Sequence, residues 1–410
     1  MINLALPEPL MLALRWALLL GPLALVLFMV RYRELPRRTQ VAGLFAFLYG
    51  ISMVFVTHSI ALYFDWWHYG WDALMLNGLP ADIMVGGAVL FGPGLYFTFP
   101  RTAPLMICLP IIIGLHGTVF SSLEPLVIAG PNWFLGVLFV FATAHIPAIY
   151  LAKWTEEDRY LPLRCALLAI MTGGLIFAIL PALIMQEMGG TWDLLSKPFW
   201  SYALTLPLLT LTSVIGLSAN QVLCLQGKGT PIPLDPTKRL VRTGIYAYVS
   251  NPMQLSAALS WLVLGLFLQN IWIMGAALMA WVFVQGMVRW HHRHDLLKRF
   301  PKGWPNYKEN VPEWIPRWTP WTPNTATLHL ATDHRALRRL LRGAKGLTVQ
   351  QTEQLSHYEN PDDVTAYSGT AACLMALTHI NFAWTVFAYT ALIPLLGLAY
   401  LAQALRSRMP

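Results

Sequence analysis

Two clusters in the second half of the chain have side chains and spacings that could do chemistry. The first runs Gly227-Lys-Gly-Thr-Pro-Ile-Pro233, then Leu240-Val241, Gly244-Ile-Tyr246, Tyr248 and Ser250-Asn-Pro-Met-Gln254. Its repeated Gly and Pro exclude regular helix and leave peptide groups free for a polar ligand. At membrane depth such backbone is tolerated only where it lines a cavity. Asn251 before Pro252 also suits the N-cap and first position of a helix. The second cluster is Trp290-His-His-Arg-His-Asp295, where titratable groups crowd one helix end. It reads either as a site or as a basic terminus that meets lipid phosphates. His291 and His294 could share a helix face, but no further ligand is evident and no metal site is expected.

An apolar stretch, Leu255 to Val288, separates the clusters and predicts a helical hairpin that returns both to one face. The whole chain suits such a setting. Its 410 residues are 56% hydrophobic and 12% charged, with a mean hydropathy of +0.52. Soluble domains carry about 25% charged residues. An all-α, polytopic membrane bundle of about nine crossings is expected. Seven segments precede the motif, near 10–30, 41–64, 82–99, 103–122, 133–152, 165–185 and 199–225. The third is broken at Gly92-Pro93-Gly94. The first lacks a cleavage-site pattern and is expected to stay.

Net charge is +8, and the basic residues cluster in loops between apolar segments, so membrane orientation explains them better than nucleic acid. With the loop 31–38 in the cytoplasm, alternation puts Arg101, 153–164, 226–253 and everything after Arg289 on that side. The opposite loops hold Asp65, Asp72, Asp82, Glu124, Glu187 and Asp193, with Lys197 as their one base. The bacterial inner membrane is the expected location. Cys108, Cys165, Cys224 and Cys373 form no CxxC pair, which argues against a disulfide framework or thiolate metal site. His58, His116 and His145 lie inside apolar segments, where helix–helix hydrogen bonding is their expected role. Asn220 and Gln221, one turn before the motif loop, are candidates for lining a substrate pocket. Three regions are expected: a bundle over 1–225, a core over 226–323, and a small cytoplasmic or interfacial domain over 324–410. The apolar run 371–405 is assigned to that last domain.

Residues 226–317 resemble the isoprenylcysteine carboxyl methyltransferase and phospholipid methyltransferase family. Gly-x-Gly-Thr-Pro, Leu-Val, Gly-x-Tyr and Asn-Pro-Met fall at the family spacing, and Val311-Pro-Glu-Trp-Ile-Pro316 fits its ending. The resemblance implies a membrane enzyme that transfers a methyl group from S-adenosylmethionine to an amphipathic lipid, isoprenoid, quinone or pigment-type molecule. It implies a cofactor site of Gly244, Tyr246, Tyr248, Asn251, Pro252, Gln254, His291, His294, Asp295, Trp304 and Tyr307. Trp304 and Tyr307 stand where the family has tyrosines, and the segment through 316 would fold back as a lid. Ser250 replaces a family Arg and Gln254 a family Tyr. His292 and Arg293 replace a family Glu-Glu pair, reversing the local charge. As catalytic residues they would imply a substrate different from the family's, such as an anionic one. The alternative is a degenerate member serving as scaffold or assembly subunit in a membrane protein complex. The last fifty residues weakly resemble the end of a thioredoxin-like family named for an Asp-Cys-Cys motif, without its CxxC.

Overall fold

A computed structural model describes residues 8–70, 74–116, 123–332 and 334–406. The Trp71 and Asp72 loop positions lie outside them, and His116 is among residues whose side chains are not described. Among the described residues, eight helices are long and apolar enough to cross a membrane, so this is a polytopic helical membrane protein. The chain divides into two compact units, Met1–Gly190 and Thr191–Pro410.

The first unit holds α1 (Glu8–Tyr32), α2 (Arg37–Tyr63), α3 (Ala81–Thr98), α4 (Pro104–Gly114), α5 (Trp133–Glu157) and α6 (Leu161–Met188). The helix α2 is the most enclosed, while α1 buries only Met11, Arg15 and Pro22. Small residues set this packing. Ala42, Ala46 and Gly50 recur every fourth position along one stripe of α2. A side chain at Gly92 would meet the Ala46 backbone at 3.1 Å, and one at Gly86 would meet the Leu18 carbonyl oxygen at 2.0 Å. Helices in lipid associate through such close contacts, because lipid tails are as apolar as leucine. The expected break at Gly92-Pro93-Gly94 is instead a π-helical turn that carries Pro93 within a continuing helix. A wider turn can absorb the hydrogen bond that proline cannot donate.

The second unit begins with α7 (Phe199–Leu225), the irregular loop, α8 (Pro252–Leu268) and α9 (Ile271–Arg299). The helix α7 was grouped by sequence with the N-terminal bundle, but it belongs to this unit. Polar contacts join it to α8: Thr212 and Ser260 hydroxyls lie 2.9 Å apart, and Ser256 donates to the Thr212 carbonyl at 2.7 Å. The hairpin turns at Gln269, which has φ of 56°, and Asn270 caps α9 by accepting from Trp272 and Ile273 N–H groups.

After α10 (Gly303–Asn310) comes a four-stranded sheet with strand order β2-β1-β3-β4. Its strands are β1 (Ala326–Ala331), β2 (Leu347–Thr352), β3 (His357–Glu359) and β4 (Tyr367–Ser368), with β1 and β2 parallel and the other pairs antiparallel. The sequence reading contained no sheet. Along β1 burial alternates, turning Ala326, Leu328 and Leu330 inward. The apolar run 371–405 forms α11 (Thr370–Leu377) and α12 (Phe382–Arg406), and α12 is among the eight spanning candidates. The tail, expected as a small C-terminal domain, carries this sheet and packs in one hydrophobic cluster with the motif region. Ala388, Tyr389 and Leu392 of α12 and the inward face of β1 pack with Val214 and Val222 of α7 and with Val241. Hydrogen bonds reinforce the join. Gln226 accepts from the Val364 and Thr365 N–H groups at 2.8 and 3.0 Å, and Thr243 donates to Asp363 at 2.6 Å.

Candidate functional site

The loop between α7 and α8 is held open by its own backbone. Lys238 N–H donates to the Gly227 carbonyl at 2.7 Å, and Thr230 donates through both N–H and hydroxyl to the Asp235 carbonyl. A side chain at Gly229 would lie 2.4 Å from Thr237 Cα, so only glycine fits there. The loop, the start of α8 and the last turns of α9 enclose a cavity of about 340 Å³. That size falls within the range of small-molecule sites.

Polar groups reach this cavity from three sides. Ser250 and Asn251 come from the loop, Gln254 from α8, and His291 and His292 from α9. Asn251 is 2% exposed. Its amide nitrogen and the Ser250 hydroxyl are buried without a hydrogen-bond partner. The side chain of Asn251 makes no cap contact with α8, unlike the sequence expectation. Two adjacent unpaired polar atoms cost roughly 1–3 kcal/mol each unless a ligand satisfies them. The rest of the lining includes the apolar side chains of Leu240, Phe283, Met287 and Leu296.

Trp304 and Tyr307 close one side. The His292 ring lies 4.5 Å from that of Trp304, and Tyr307 donates to the Tyr246 carbonyl at 2.9 Å. Burial pushes both the Tyr246 and Tyr307 phenols above their ordinary value, so at neutral pH each remains a donor. Of the segment expected to fold back as a lid, Trp304 and Tyr307 line the cavity and the ending Val311–Arg317 does not. It straps the outside of the loop: Ser250 N–H donates to the Pro312 carbonyl at 2.8 Å, and Arg317 N–H to the Tyr248 carbonyl at 3.0 Å. Glu313 pairs with Lys308 and Arg289 at 2.7 and 3.3 Å. Burial raises the Glu313 pKa, but the Lys308 hydrogen bond and charge, with Arg289, more than reverse this and leave it below its ordinary value.

Of the expected site residues, Tyr246, Asn251, Pro252, Gln254, His291, His292, Trp304 and Tyr307 line the cavity. The others do not. Gly244 has φ of 59° and abuts the Tyr389 hydroxyl, so it is a packing glycine. Tyr248 is fully buried and donates to the Thr378 carbonyl at 2.7 Å. Arg293 and His294 are exposed, because residues 288, 292 and 296 take the inner face of α9 at helical spacing. His294 lies against Trp290, and Asp295 is held by Arg299. Asn220 and Gln221 are half-buried on α7, whereas Leu223 is the α7 residue that reaches the cavity. Thr230, Thr237 and Ser250 were missed. The Ser250 signal was legible, since a small residue where the family carries Arg leaves room.

The family model described as phospholipid methyltransferase matches residues 200–300, which include α7, the loop, α8 and α9. That match supports a membrane methyltransferase in general terms. No curated protein and no solved structure matches the chain.

Proposed function

We propose that the protein is an integral membrane methyltransferase that uses S-adenosylmethionine and acts on an amphipathic, lipid-type molecule. The observation that carries this reading is the pair of buried, unpartnered groups, Asn251 amide and Ser250 hydroxyl, facing a cavity inside the matched segment. When bound, the cofactor supplies a methyl group already activated as a sulfonium. The chain need therefore only hold it, align a nucleophile and exclude water. Asn251 and Ser250 would hold polar parts of the cofactor, with free peptide groups of the loop beside them. The apolar side chains of Phe283, Met287 and Leu296 suit a substrate tail. Either His291 or His292 would accept the proton that a nucleophile releases as its new bond to carbon forms. Basic loops favour placing this site on the cytoplasmic side of a plasma membrane.

A second reading, a scaffold without catalysis, is favoured by one feature: among the described residues no Asp or Glu lines the cavity, so a cationic cofactor meets no anionic partner there. Equilibrium binding of S-adenosylmethionine to the purified protein separates the two. Saturable binding that weakens about tenfold in Asn251→Ala supports the enzyme. No binding at millimolar concentration supports the scaffold.

A further inference from the structure

The first unit contains a cavity of its own, about 370 Å³, walled by α1, α2, α3 and α5. Most of its lining is aliphatic or aromatic. One end differs. Arg15 of α1 donates to Asp82 Oδ1 of α3 at 3.0 Å, with side chains only 9% and 10% exposed. The other oxygen, Asp82 Oδ2, is buried with no hydrogen-bond partner. Ionisable residues inside membrane segments are costly to keep and mark functional sites by default.

Two other polar groups, His58 and Tyr69, lie at that end. Trp67 donates to His58 Nδ1 at 3.3 Å, so His58 Nε2 carries the proton and donates to the Asn77 carbonyl at 3.2 Å. Tyr69 is near enough to feel the charges of both Asp82 and Arg15, and its phenol is raised by burial. The carboxylate can only accept, so Asp82 Oδ2 calls for a donor. A neutral donor fits better than a cation, because Arg15 already balances the charge and an excess charge in low dielectric is expensive.

We infer that this cavity binds a lipid-soluble molecule whose head carries a hydroxyl, donated to Asp82 Oδ2, with its apolar body between α2, α3 and α5. Access is compatible with this: α1 buries little of its surface, so the wall toward lipid is thin. The inference is independent of the methyltransferase reading.

The test uses the full-length protein in nanodiscs and a twelve-carbon alcohol bearing a mid-chain diazirine, with the matched alkane as control. The alcohol should photolabel peptides spanning 83–91 or 137–145 at least tenfold more efficiently than the alkane, and unlabelled dodecanol should compete. Asp82→Asn should remove the preference for the alcohol. Because that change also disturbs Arg15, Gly87→Leu is the second variant. Gly87 lines the cavity, and a Cβ there meets nothing within 4 Å, so a larger side chain can be accommodated without a clash at its base. It should abolish labelling with an unchanged melting midpoint. Equal labelling by alcohol and alkane, labels confined to lipid-facing surfaces, or full labelling of Gly87→Leu would each overturn the proposal.

Discussion

The two cavities are close in size and opposite in construction. The one in the second unit is built from irregular loop backbone and helix ends, and among the described residues it presents amide, hydroxyl and imidazole groups but no carboxylate. The one in the first unit is walled largely by helix faces and presents a buried ion pair, with His58 and Tyr69 nearby, in a mostly apolar lining. Peptide groups released by Gly and Pro can meet a ligand with many polar atoms. Helix faces have spent their peptide groups internally, so they offer polarity only through occasional side chains. The first construction suits a ligand with many polar atoms and the second a mostly apolar one.

The largest expected effect comes from removing residues 324–410. The tail shares a core with α7 and clamps the loop through Gln226 and Thr243. Truncation should abolish S-adenosylmethionine binding and lower the thermal midpoint, followed by fluorescence-detected size exclusion after heating. A truncated protein that still binds would show the tail to be separable, as its sequence suggested.

Next is Gly244→Ala. It puts a side chain at φ of 59° and 2.3 Å from the Tyr389 hydroxyl. Left-handed strain of roughly 1–2 kcal/mol and overpacking of about 1–3 kcal/mol combine. Chemical denaturation in detergent should register the loss, and a neutral result would contradict the packing role given to this glycine.

A smaller effect is expected from pH. Burial raises the Asp363 carboxyl from 3.8 to about 6, while the Thr243 hydrogen bond partly opposes the rise. Between pH 4 and 6 the native state then binds more protons than the unfolded one, so stability falls as pH rises through that window. The change is at most about 3 kcal/mol, at 1.36 kcal/mol per unit. Asp363→Asn should flatten the profile, and an unaltered slope would remove Asp363 as its origin.

The smallest effect is expected at Arg293. Its side chain is exposed and outside the cavity. Arg293→Ala should alter cofactor affinity by less than about 0.5 kcal/mol, the usual range for a surface change. A tenfold loss would restore it to the site.

Much of this was legible in sequence because membrane helices announce themselves by length and apolarity. The hairpin and the irregular loop follow from local pattern, whereas the cavity residues Asn251, Gln254, His292, Trp304 and Tyr307 follow from the family resemblance. Long-range packing was not legible. Nothing near Gly244 reveals that Tyr389 lies against it, and nothing near Asp82 names Arg15, 67 positions away. The short strands also escaped notice: β3 and β4 have three and two residues, too few for alternation to register. Arg293 lies outside the cavity lining because the family position that names it does not fix which face of α9 turns inward.

The most direct measurement is equilibrium binding of S-adenosylmethionine to the full-length protein in nanodiscs, wild type beside Asn251→Ala. Two to three hydrogen-bonding groups at this cavity, at roughly 1.5–3 kcal/mol for each bond to a charged ligand, should give saturable binding. The substitution should weaken it about tenfold without shifting the melting midpoint. No wild-type binding at millimolar ligand, or equal affinity in the two proteins, would contradict the placement of the cofactor at Asn251.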